Sequence, residues 1–132
     1  MTISQTNVRS EEVVKVLLAH FPEYLETGKF EYCDIDLPYT VWGGFGLYIT
    51  DYIRSLPTDR LDDDYLVVRL FDFVNELMST GDDDTQTIVV IELFENFYSY
   101  RKTIDLARRK LLAEHVPWLE KQGTWLRTIE ED

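Results

Sequence analysis

Apolar residues recur along this chain at helical spacing and are interrupted by proline, glycine and aspartate. Val13, Val14, Val16, Leu17 and Leu18 follow Ser10, Glu11 and Glu12, which predicts a first helix capped by Ser10. It should stop near Phe21-Pro22, because proline disfavours helical geometry in the residue before it. From Pro22 to Tyr39 the periodicity breaks among Gly28, Asp34, Asp36 and Pro38, predicting an irregular connection with one short turn at Glu23 to Glu26. Helical spacing returns from Tyr39 to Leu56, where Phe45, Ile49, Tyr52, Ile53 and Leu56 share a face. Gly43, Gly44 and Gly46 loosen its beginning, so the second helix is predicted to start among them.

After the break at Pro57-Thr58-Asp59, Asp62-Asp63-Asp64 open a third helix with a core face of Leu66, Val67, Leu70, Phe73, Val74 and Leu77. Gly81 is expected to end it as a left-handed cap, and Asp82-Asp83-Asp84 to launch a fourth helix reaching Tyr98. Ile88, Val89, Val90, Ile91, Leu93, Phe94 and Phe97 make that helix central, with Glu92, Glu95, Asn96 and Ser99 as its wet stripe. The β-branched run Thr87 to Ile91 could read as a strand, but its flanks keep helical spacing and no alternating partner strand exists. Thr103 is expected to cap a fifth helix with Ile104, Ala107, Leu111 and Leu112 inward, followed by a short segment from Pro117 carrying Trp118 and Trp125. The pattern predicts an all-α fold, an antiparallel bundle or short α-α array of five to six helices. One domain spans 1–132, with 1–10 and 128–132 as mobile termini.

Composition narrows the partners. The hydrophobic fraction of 45% and aromatic fraction of 14% exclude a disordered polymer. With 25 Asp and Glu against 13 Lys and Arg, the formal charge of −12 repels phosphate backbones and anionic bilayers, so neither nucleic acid nor membrane is an expected partner. Residues 1–100 hold 19 acids and 6 bases, whereas 101–132 hold 6 acids and 7 bases, so the acidic surface belongs to the first four helices. The lone cysteine, Cys33, has no internal disulfide partner, and Met1 to Ser10 lacks an apolar signal core; both fit a reducing cytoplasm. Apolar stretches such as Ile88 to Ile91 fall far short of the roughly 18 residues a membrane span needs.

Candidate chemistry is sparse. His20 and His115 are read as helix C-terminal residues favoured by the helix dipole. Gly43-Gly44-Phe45-Gly46 lacks the lysine and preceding strand of a phosphate cradle and is read as a place where a helix begins abruptly or a neighbouring backbone comes close. Neither aspartate triplet matches a calcium loop, so no metal, cofactor or catalytic residue is assigned. The basic run Arg108-Arg109-Lys110 is read as a solvated face or an internal partner for acids.

If the second, third and fourth helices are antiparallel neighbours, Asp62 to Asp64 lie about 27 Å from Asp82 to Asp84, some 18 residues at about 1.5 Å each. The first triplet has Arg60, Arg101 and Lys102 within reach to balance it. The second shares its end with the connection carrying Asp34, Asp36, Tyr39 and Trp42. These seven residues, Asp34, Asp36, Tyr39, Trp42, Asp82, Asp83 and Asp84, form the expected partner-binding patch: acids steer a basic protein and aromatics supply the contact area that holds it.

Phe21-Pro22-Glu23, Asp36-Leu37-Pro38-Tyr39 with Gly44-Phe45, Leu70-Phe71 with Phe73, Glu76 and Leu77, Gly81-Asp82 and Glu92-Leu93 occur in an order that spans residues 21–93. In that order the chain resembles small bacterial helical proteins similar to the immunity proteins of polymorphic toxin and contact-dependent inhibition systems. The resemblance implies a stoichiometric inhibitor, not an enzyme, that binds a co-produced toxin and blocks its active surface; the acidic balance would suit a basic toxin such as a nuclease. Two other classes fit the composition: a small carboxylate- or metal-dependent hydrolase, and a helical adaptor offering a peptide the groove between the second and fourth helices.

Overall fold

Proline and aspartate set most helix boundaries in a computed structural model, which describes residues 12–26 and 38–123. Helix α1, Val13–His20, ends at Phe21, directly ahead of Pro22, and α2, Pro22–Glu26, is a single turn more regular than the sequence suggests. Proline in the first helical position begins α3, Pro38–Ser55, because its missing N–H would be unpaired there in any case. A 3₁₀ turn, Thr58–Arg60, follows Pro57. Helix α4, Tyr65–Thr80, is capped by Asp64, whose carboxylate accepts the N–H groups of Leu66 and Val67. Helix α5 covers 83–97 as one rod: α-helical over Asp83–Ile88, π-helical over Val89–Phe94 and α-helical again over Glu95–Phe97. Helix α6, Arg101–Lys110, and α7, Val116–Gly123, complete an all-α fold with no strand among the described residues. The run Thr87 to Ile91 is helical throughout.

Side-chain contacts give the helix directions. Trp42 stacks on Phe73 and the Tyr52 hydroxyl donates to Asp64, so α3 and α4 run antiparallel. Gly43 and Gly46 lie against Glu92 and Asn96, and the Arg54 guanidinium covers the Tyr100 ring at 3.6 Å, so α5 runs parallel to α3. Helix α6 crosses from the Leu56 carbonyl, which accepts from Lys102, to Asn75, which donates to the Lys110 carbonyl. Helix α7 lies along α5. One continuous core extends from Val13 to Leu119, built around Phe21, Trp42, Phe45 and Phe73 on one side and Phe71, Phe94 and Phe97 on the other. Each large apolar side chain so buried contributes about 1.5–3 kcal/mol. The predicted α4 face, Leu66, Val67, Leu70, Phe73, Val74 and Leu77, is wholly in this core.

Several local expectations are corrected. Helix α3 passes straight through its glycines instead of starting among them, because they are its contact with α5: a Cβ on Gly46 would sit 2.8 Å from the Glu92 carbonyl oxygen. Glu92 and Asn96 are accordingly half-buried over α3, and only Glu95 and Ser99 of the stripe are exposed. Gly81 is extended, with φ −70° and ψ 153°, not left-handed; glycine is needed because a Cβ would lie 2.6 Å from the Leu77 carbonyl oxygen and 2.8 Å from Thr85. Thr103 is buried inside α6, donating to the Phe97 and Tyr100 carbonyls, while Tyr100 holds the cap position. Leu112 lies beyond the helix end and is exposed. His20 does close α1, against the Val16 carbonyl, but His115 sits in the turn before α7, buried, with Nε2 3.0 Å from the Ser79 hydroxyl. Ser10, Gly28, Cys33 and Trp125, named in the sequence reading, lie outside the described residues.

Candidate functional site

Parallel α3 and α5 place their N-termini at one pole. Gly43 faces Glu92, so the first turn of α5 projects about one turn beyond the start of α3, at about 5.4 Å per turn. Asp82 is the cap: its carboxylate accepts the Thr85 N–H at 2.8 Å, which holds it half-exposed at the helix end. Asp83 and Asp84, in the first turn, are exposed, and neither carboxylate forms an ion pair among the described residues. Favourable interaction with the α5 N-terminus keeps their charge tolerable without a cation. Tyr39, in the first turn of α3, is 44% exposed at the same pole.

Of the seven residues assigned to this patch, Tyr39, Asp82, Asp83 and Asp84 lie at this pole, at the starts of α3 and α5. Asp34 and Asp36 lie outside the described residues. Trp42 is corrected: it has no exposed surface and packs between Phe45 and Phe73, so it is core and cannot touch a partner. The reason is helical phase, since Trp42, Phe45 and Ile49 follow one another at core spacing while Tyr39 falls where the helix end is still open. Among the described residues, Trp42 Nε1 is the buried side-chain polar atom without a hydrogen-bond partner, a cost of about 1–3 kcal/mol.

The opposite pole differs. Asp62 pairs with Arg109 at 2.8 Å, and its carbonyl accepts from Lys110. The guanidinium hydrogen bond holds the Asp62 carboxyl below its ordinary value. The balancing cations thus come from the end of α6; the expected Arg60, Arg101 and Lys102 are not those bonded to it, and Lys102 instead donates to the Arg54 and Leu56 carbonyls. Asp64 is occupied by the cap and by Tyr52, 2.9 Å from either carboxylate oxygen. Burial and that hydrogen bond push the Tyr52 hydroxyl up to about 12. Arg108 reaches Glu120 on α7 at 2.8 Å, so the basic run serves as an internal partner for acids.

Between the poles, Glu92 leans over Gly43 from the π-helical stretch, and burial, followed by repulsion from Glu95, pushes its carboxyl up. No group of three or more His, Cys, Asp or Glu side chains is arranged to hold a metal among the described residues. No helix among them is long and apolar enough to cross a membrane.

Ile91, at 39%, and Trp118, at 42%, are exposed apolar residues outside the expected patch. Ile91, expected on the buried side of its helix, falls in phase with exposed Asp84, Thr87 and Glu95, and that spacing is the signal for its exposure.

The chain belongs to the family described as Domain of unknown function (DUF7674). That family's model matches residues 14–125, from within α1 to just past α7. No curated protein and no solved structure matches the chain. The DUF7674 description assigns no activity, so the chemistry of the pole itself carries the functional reading.

Proposed function

We propose that this DUF7674 protein is an immunity-type protein that binds and neutralises a cognate basic toxin in the cytoplasm, covering the toxin's active surface without turnover. The observation that carries the reading is the pair Asp83 and Asp84, exposed and without an ion pair among the described residues, at the same pole as exposed Tyr39, in a chain of net charge −12. Uncompensated carboxylates at one pole create a field that raises the encounter rate with a basic surface, and the effect weakens with salt. An aromatic residue at the rim then adds desolvated contact area.

The experiment reads the genes adjoining the chain's own for the expected basic toxin domain, whose absence counts against the reading, and co-produces the chain with that domain. Growth should be restored only when the chain equals or exceeds the toxin in amount, and the two should elute as a one-to-one complex. Protection at a small fraction of the toxin amount would mean turnover, and no protection would mean no cognate pair; either result overturns the reading.

A further inference from the structure

The outward stripe of α5 consists of Asp84, Thr87, Ile91 and Glu95, all exposed, with Ile91 as its apolar member. Helix α7 runs beside it and presents Trp118, over whose ring the Lys121 ammonium lies 6.0 Å from the centroid. Thr87, Val90, Ile91, Trp118, Lys121 and Gln122 line a cleft of about 160 Å³ between the two helices. A volume on the order of 150 Å³ accommodates a benzene-sized group. A half-exposed tryptophan beside an apolar slot with a polar rim is the arrangement that dominates binding energy at protein interfaces.

The charge around the slot selects its occupant. Asp83 and Asp84 stand at one end, and Glu95, which accepts from Gln122, stands at the other. Lys121 is held over the Trp118 ring. An occupant matching this pattern carries an aliphatic or aromatic side chain flanked by lysine or arginine. We propose that the α5–α7 cleft is the docking slot for an apolar side chain of a basic protein partner, with Trp118 and Ile91 as anchors and Asp83 and Asp84 as the orienting rim. The inference rests on the toxin-binding reading and assigns to Trp118 the anchoring role that buried Trp42 cannot fill.

The test is calorimetric titration of the full chain with the catalytically inactivated form of the toxin domain that the co-production experiment identifies. Trp118→Ala and Ile91→Lys should each weaken binding about tenfold or more, the range typical of interface anchors. Trp118→Phe should retain most of the affinity, and Tyr65→Ala, exposed at the opposite pole, should leave it unchanged. Far-UV circular dichroism checks that each variant is folded; if Trp118→Ala is not, Ile91→Lys decides. Parental affinity in Ile91→Lys, or an equal loss in Tyr65→Ala, overturns the slot while the toxin-binding reading stands. A parent chain that does not bind the toxin domain overturns both.

Discussion

Two aspartate triplets, Asp62 to Asp64 and Asp82 to Asp84, have the same composition and each precedes a helix, yet they meet different surroundings. At the first, Asp64 caps α4 and holds Tyr52, and Asp62 is paired with Arg109, so two of the three acids are tied to the fold. At the second, Asp82 caps α5, while Asp83 and Asp84 face outward without an ion pair among the described residues. The difference comes from α6, which carries Arg109 and Lys110 to the first pole. Charge in a sequence therefore acquires its meaning from the cations that the fold delivers to it. At the first pole two acids are tied into the fold, and at the second two acids face solvent without an ion pair among the described residues.

The contrast can be tested most strongly through binding kinetics. Replacing Asp83 and Asp84 together by Asn should slow association with a basic toxin about tenfold at low salt and flatten the salt dependence, because steering falls with the local field. Stopped-flow mixing checks this, and an unchanged rate would remove the second pole from the binding surface. Asp64→Ala should do the reverse, costing about 2 kcal/mol of stability through the lost cap and the orphaned Tyr52 hydroxyl while leaving association unaltered. Urea unfolding measures that loss.

Glu92, between the poles, gives a smaller effect with a definite sign. Its carboxyl is raised in the folded state above the ordinary 4.5, so the neutral form is the one folding favours. Stability linked to Glu92 is fully present below about 4.5, declines as pH rises through the folded-state value, and stays reduced above it. Glu92→Gln should therefore gain stability relative to the parent at pH 7 and show no gain at pH 4, read from paired urea curves. Asp62→Asn should change least, because its partner is exposed and surface pairs contribute little. Any effect should follow the opposite course to that of Glu92: the Asp62 contribution is present above its ordinary value of 3.8 and is lost as pH falls through the lowered folded-state value. A large drop in the urea midpoint at pH 7 would show that the first pole depends on this pair after all.

Much of the helical skeleton was legible because the signals are local. Pro22, Pro57, Asp64 and Asp82 act on their own neighbours, and they mark a helix end, a break and two caps where the sequence pattern expects them. The core of α4 follows from periodicity alone. The misplaced features share a different cause. The glycines of α3, the extended Gly81, the half-buried Glu92 and Asn96 and the buried His115 are all explained by residues distant in the chain or across a turn. At the candidate site, the exposure of Asp83 and Asp84 followed from their position in a first helical turn. Trp42 belongs to the core because α3 begins at Pro38, ahead of the glycines, and a helix starting among them does not reveal that phase.

The amino-acid sequence determined that this chain is helical, where most helices stop, and that its acids outnumber its bases almost two to one, since these depend on backbone preference, periodicity and composition. Only the tertiary structure decided which acids are balanced and which aromatic faces water. Those outcomes depend on the packing of α6 against the first pole and of α7 along α5, and contacts between segments so far apart in the chain leave no periodic trace in it.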